Sequence, residues 1–271
     1  MNTHRPAIVT LTVLCACATT VAAQFSLVSV QQEIEIGQEA NAQVRKEMPE
    51  VVDPQVTAYI RGIGQRLVAQ AQGPKYPYSF SVVDYREINA FALPGGPVWL
   101  HRGVVHAATN ESQVAGVLAH EVAHIAERHA ADQLTKGMVA NLGLGLLGAV
   151  LGNGAGATTA QAAAGFLANG IFMKFSRDDE READRVGLQL MRRAGWDGRG
   201  MVELFEILQG EAKRNPSSVE LFFSSHPPPQ DRIARLRTAA GASGGTRDTA
   251  QFRSIKGRLQ RMPAPKPMPQ E

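Results

Sequence analysis

Residues 116–128 read GVLAHEVAHIAER, a helical-looking apolar run in which Glu121 is the only charge before Glu127 and has a histidine on each side. A helix turns about 100° per residue, so His120 and His124 stand one turn apart on the same face with Glu121 beside them. Val114, Val117, Leu118, Val122 and Ile125 surround this group and mark the helix as a core element. A carboxylate buried there without a partner is costly, so a fold that accepts this stretch must have a use for Glu121.

The pattern is H-E-x-x-H, in which two neutral imidazoles reach one zinc ion and the glutamate serves as general base. A catalytic zinc site needs a third protein ligand and an open position for water. The stretch DDEREADRVGLQLM places Glu180, Ala183, Asp184, Gly187 and Met191 on one helical face, while Arg181, Glu182, Arg185 and Arg192 take the others. Glu180 is the expected third ligand to one Zn2+ per chain. Asp184, one turn further, is expected to accept the free N–H of a ligating histidine, His120 by preference, and so fix its tautomer. Glu182 is expected to be solvated. In this mechanism Glu121 takes the proton of the attacking water and passes it to the departing amine.

The rest of the composition narrows the context. A chain of 271 residues, 44% hydrophobic and 20% charged, has material for a folded core, and a formal charge of +3 with scattered Lys and Arg argues against nucleic acid as a partner. Residues 1–23 have an arginine-bearing start, an apolar centre and the small residues Val21 and Ala23, the layout of a cleaved export signal. An alternative is a lipoprotein signal, since LCAC ends on Cys17, whose lipidation would anchor the protein to a membrane. Both cysteines of the chain lie in this segment, so a mature protein starting at Gln24 has no disulfide, thiol nucleophile or cysteine ligand.

The pattern of elements is α+β and mainly helical. Residues 29–47 and 54–71 have helical apolar spacing, and residues 78–84, 88–96 and 97–103 read as a small sheet with a hairpin at Pro-Gly-Gly. A helix capped by Asn110 or Ser112 carries the zinc motif, and further helices are expected over 178–194, 199–213 and 232–237. Residues 137–173 carry no charge; their most apolar part is short and cut by glycines, so two buried or surface-apposed helices are preferred to a membrane span, with peripheral membrane contact left open. The domain is expected to fill 24–238. Residues 239–271 read as a flexible linker, a short amphipathic piece and a Pro-rich disordered tail.

HEVAH followed by EREAD, with INAFALPGGPVWLHRG upstream and SSHPPPQDR downstream, resembles the zinc metalloendopeptidase family that includes the CAAX prenyl protease, HtpX and BepA. The resemblance covers roughly residues 28–238 and is to the soluble exported members, without the helical-repeat region of BepA. It implies a gluzincin-type domain with His120, His124 and Glu180 on zinc and Glu121 as base. It also puts Asn89, Ala90 and Phe91 beside the substrate cleft, where an edge strand can pair with an extended peptide. His226, stiffened by the prolines after it and followed by Arg232, is implied to approach the zinc. There it either stabilises the oxyanion or occupies the open position and holds the enzyme off. His101, His106 and His129 lack a partnered spacing and are read as structural.

The function expected from this is an exported, bacterial periplasmic endopeptidase. Its substrates would be unfolded or misassembled proteins, with envelope or outer-membrane assembly proteins as partners. The alternatives are a plugged, chaperone-like binder with secondary proteolysis, and a membrane-associated protease.

Overall fold

The computed structural model describes residues 26–152, 174–227, 231–242 and 244–269. The expected export signal with Cys17, and the second half of the uncharged segment, fall outside the described residues. Helix α1 (Val30–Glu47) starts at a reciprocal Ser29/Gln32 capping box, and α2 (Pro54–Val68) starts where Asp53 accepts the Gln55 and Val56 amides. Strands β1 (Ser79–Val83), β2 (Ala90–Ala92) and β3 (Pro97–His101) follow, then α3 (Arg102–Ala107), α4 (Glu111–Ala126) and α5 (His129–Gly152). The second helical half contains α6 (Arg177–Arg193), α7 (Arg199–Arg214), α8 (Glu220–Ser225), α9 (Arg232–Ala240) and α10 (Ala250–Arg261).

The sheet has the order β1-β3-β2, with β1 parallel and β2 antiparallel to β3. Both faces are covered. Phe80, Val82, Ala90, Val98 and Leu100 join the main core with α2 and α4, whereas Val83, Phe91 and Trp99 meet Ile36, Ala40 and Val44 of α1 and Ala131 and Leu134 of α5. The alternation in the strands therefore divides residues between two cores. Residues 49–51 bond along the outer side of β1 through Val51 N to Val82 O and Asp84 N to Pro49 O, so among the described residues β2 is the unpaired edge. The tight β2–β3 connection uses Gly95 and Gly96 at φ of 71° and 128°, conformations that side-chain-bearing residues avoid.

Helix α4 is buried along its whole length and lies beside β2. Its contact with α6 depends on Gly187, where a methyl group would come within 3.2 Å of the Ala119 carbonyl. That close approach, one turn after Asp184, brings the acids of α6 against the histidines of α4.

The C-terminal segment differs from its expected flexible form. Helix α10 buries Phe252, Ile255 and Leu259 in the main core, Thr246 bonds to Gly195 and Asp197, and Lys266 exchanges backbone bonds with Asp84 and Arg86. Buried Arg102 donates to the carbonyls of Leu259 and Pro263. Three apolar side chains at helical spacing and a buried guanidinium suffice to dock a segment whose Gly and Pro content alone suggests disorder. Among the described residues no helix is long and apolar enough to cross a membrane.

Candidate metal centre

Helix α4 begins at Asn110, whose side chain accepts the Gln113 amide, and its third and fourth turns carry His120, Glu121 and His124, all buried. Helix α6 begins at a Ser176/Asp179 capping box, which fixes its first turn and with it Glu180. His124 Nε2 lies 3.1 Å from His120 Nε2, and Glu180 closes a triangle with Oε1 3.4 Å from His124 Nε2 and Oε2 3.5 Å from His120 Nε2. Three donors bound tetrahedrally at about 2.1 Å from one ion stand roughly 3.4 Å apart, so this triangle fits a cation of that kind. Ring nitrogens aimed at each other at such distances also need a shared cation or proton between their lone pairs.

Electrostatics points the same way. Glu121, Glu180 and Asp184 are buried around one guanidinium, that of Arg232, which lies 2.8 Å from Glu180 and 2.7 Å from Asp184 and stacks over Phe205. Burial pulls His120 down, but hydrogen bonding to Asp184 and Glu180 outweighs it and carries the imidazole up to about 9. Burial, reinforced by the neighbouring His120, holds His124 well below the usual imidazole value, so His124 is ready to bind a metal as the neutral imidazole, whereas His120 must release a proton to do so. Burial opposes ionisation of Glu180, but charge from His226 and hydrogen bonds from His120, His124 and His226 bring it well below the ordinary carboxylate range. Burial pushes Glu121 up. Both oxygens of Glu121 lack a hydrogen-bond partner, and the imidazole nitrogen His226 Nε2 is 3.7 Å from Oε1.

The remaining predicted residues are placed as follows. Asp184 Oδ1 is 3.3 Å from His120 Nδ1, on the side of the ring away from the donor triangle. His226, at the end of α8, puts Nδ1 2.9 Å from Glu180 Oε1 and 3.4 Å from His120 Nε2, which makes it a fourth donor of the same cluster. Asn89, Ala90 and Phe91 reach the edge strand beside α4, but their side chains are buried, with Phe91 stacked on Trp99. The hydrogen bonds of Asn89 O and Leu93 N to β3 set the register, in which the alternate residues Ala90 and Ala92 turn their backbone groups away from β3; Ala90 is fully buried there and Ala92 is half-buried. What this segment can offer a peptide is therefore the backbone of Ala92. His101 and His106 make local contacts, with Glu87 O and with Arg102 respectively.

Two neighbours of the metal-binding group escape a reading by helical spacing. Phe175 stacks on His124 with ring centroids 4.0 Å apart. His129, expected to be merely structural, places Nδ1 2.9 Å from His124 Nδ1. It does so because α4 ends at Ala126 and the chain turns back at Arg128, the only non-glycine residue at positive φ (61°) among those described. No Gly or Pro marks that break.

A helix bearing H-E-x-x-H, crossed by a second helix that supplies a glutamate donor and flanked by an open strand edge, defines a metallopeptidase domain of the gluzincin type. Peptidase family M48 matches residues 54–240, and the chain belongs to that family, a family of metalloproteases. It is 36% identical to the beta-barrel assembly-enhancing protease of Escherichia coli over 79% of this chain and 45% of the relative. It is 29% identical to the mitochondrial metalloendopeptidase OMA1 of Schizosaccharomyces pombe over 79% of this chain and 62% of the relative. The metalloprotease YcaL of E. coli is also 29% identical, over 68% of this chain and 72% of the relative. The chain thus spans less than half the length of the beta-barrel assembly-enhancing protease that it matches.

Proposed function

We propose that this protein is an exported, zinc-dependent endopeptidase of the bacterial envelope that hydrolyses unfolded or misassembled proteins. The observation that carries the reading is the triangle of His120, His124 and Glu180 with the unpartnered Glu121 beside it and the open edge of β2 next to the same helix. Zinc, when bound, supplies the Lewis acid that polarises the scissile carbonyl and lowers the pKa of water to about 7. His120, His124 and Glu180 would hold it, with Asp184 orienting His120. Glu121 has no donor to satisfy and is free to take a proton from water and return it to the leaving amine. The half-buried Ala92 at the edge of β2 would hold the peptide extended through backbone bonds, which tolerates varied sequences. The envelope setting is supported by the leader-like layout of residues 1–23 and by the likeness to the beta-barrel assembly-enhancing protease of E. coli.

A second reading is a plugged binder, favoured by the position of His226. Its Nδ1 lies close enough to Glu180 and His120 to complete a four-donor set, which would leave no position for water. The two are separated by degradation of an unfolded protein by the zinc-loaded chain, its Glu121→Gln variant and its His226→Ala variant. Cleavage by wild type that rises in His226→Ala identifies a plug, and cleavage that falls identifies a transition-state donor. Absence of cleavage in both, with zinc bound, overturns the endopeptidase reading.

A further inference from the structure

His120 has Asp184 behind it, but among the described residues no carboxylate is in contact with the corresponding nitrogen of His124. That nitrogen, Nδ1, instead meets the Nδ1 of His129 at 2.9 Å, with both rings buried. Since Nε2 of His124 faces the donor triangle, a neutral His124 that binds through Nε2 carries its proton on Nδ1 and must donate it. His129 Nδ1 can accept only if its own proton sits on Nε2, and that atom lies 3.5 Å from Glu182 Oε2. The geometry is held from outside the site. Arg128, whose left-handed turn delivers His129, donates from Nε to buried Glu33 of α1 at 2.7 Å, and Tyr76 donates to the other oxygen of Glu33.

We propose that His129 is a positioning residue for His124, accepting its Nδ1–H and thereby fixing the tautomer and ring plane in which His124 meets a metal. The inference rests on the proposed metal site. It gives the two ligating imidazoles different supports: a carboxylate behind His120, which strengthens its donor character, and a neutral imidazole behind His124, which orients it with less added charge. It also gives Glu182 a part despite its partial exposure: it makes no hydrogen bond to His129 Nε2, but its negative charge 3.5 Å away favours a proton on that nitrogen.

The test is zinc affinity of the full chain by competition with a chromogenic chelator, together with the visible absorption spectrum of the cobalt-substituted protein. His129→Phe keeps a ring of similar size without an acceptor and is expected to bind zinc about 10- to 100-fold more weakly, with a shifted cobalt spectrum. His129→Asn, whose side-chain oxygen can accept, should recover most of that loss, and Glu182→Gln should weaken binding about threefold. A His129→Phe protein with wild-type affinity and an unchanged spectrum overturns the proposal. If that variant does not fold, wild-type affinity in Glu182→Gln together with an unrescued loss in His129→Asn overturns it instead. His124→Ala separates the two levels: wild-type zinc binding there removes the metal site itself, whereas loss of binding there with no effect at His129 removes only the positioning role.

Discussion

Helix α4 buries one glutamate in its first turn and another in its third, and the two are treated in opposite ways. Glu111, in the first turn, lies where the helix dipole favours an anion and accepts from Tyr59 at 3.0 Å, Trp196 at 2.9 Å and Thr249. Those three donors come from α2, the loop before α7 and the cap of α10, so Glu111 ties distant parts of the chain together. Glu121, ten residues later on the same helix, is as deeply buried and has no donor at either oxygen. A buried acid whose oxygens are all engaged is part of the framework. One left without a partner, beside converging imidazoles, is kept available for chemistry.

This contrast can be broken by substitution. Glu121→Gln is expected to lower peptide hydrolysis by about 1000-fold or more, while zinc content and melting temperature stay at or above wild type, because the base is lost and an unpaired buried charge removed. Hydrolysis assays alongside calorimetry would check this, and a parallel fall in melting temperature would make Glu121 structural. Glu111→Ala should do the reverse, destabilising the fold by about 3 kcal/mol in urea titration because Tyr59, Trp196 and Thr249 lose their acceptor, with zinc affinity of the folded protein nearly unchanged. Thr249→Ala removes one of those donors and the cap of α10, where it accepts the Phe252 amide, and should cost about 1 to 2 kcal/mol. Arg185→Ala, which breaks an exposed pair with Glu182, should stay within about 0.5 kcal/mol in the same measurement. Dialysis against a chelator gives a further separation: removal of zinc should abolish hydrolysis in the wild type and in Glu111→Ala alike, and added zinc should restore both.

Much of the site is legible along the chain because helices impose a strict periodicity. The spacing of His120, Glu121 and His124 dictates their common face, and Glu180 with Asp184 follows from the apolar stripe of DDEREADRVGLQLM. The fold class, the capped helices and the Pro-Gly-Gly hairpin are likewise local. What is not legible arises where the chain leaves a regular element. The approach of His129 to His124 depends on one left-handed residue, Arg128, that carries no sequence mark, and its conformation is secured by an ion pair with Glu33, far away in α1. The docking of α10 depends on a groove that α2 and α3 build together, and its linker composition conceals this.

The sequence by itself determined that two histidines and a glutamate share a buried helical face, that a second helix offers an acid stripe, and that a leader-like stretch precedes them. These follow from periodicity and composition, which act within a few residues. Only the tertiary structure decided that the acid stripe meets the histidines at donor spacing, that Glu111 is satisfied and Glu121 is not, and that His226 and His129 close in on the same centre. Those outcomes depend on how closely α4 and α6 approach across Gly187 and on where the loops return, distances set by packing over the whole chain.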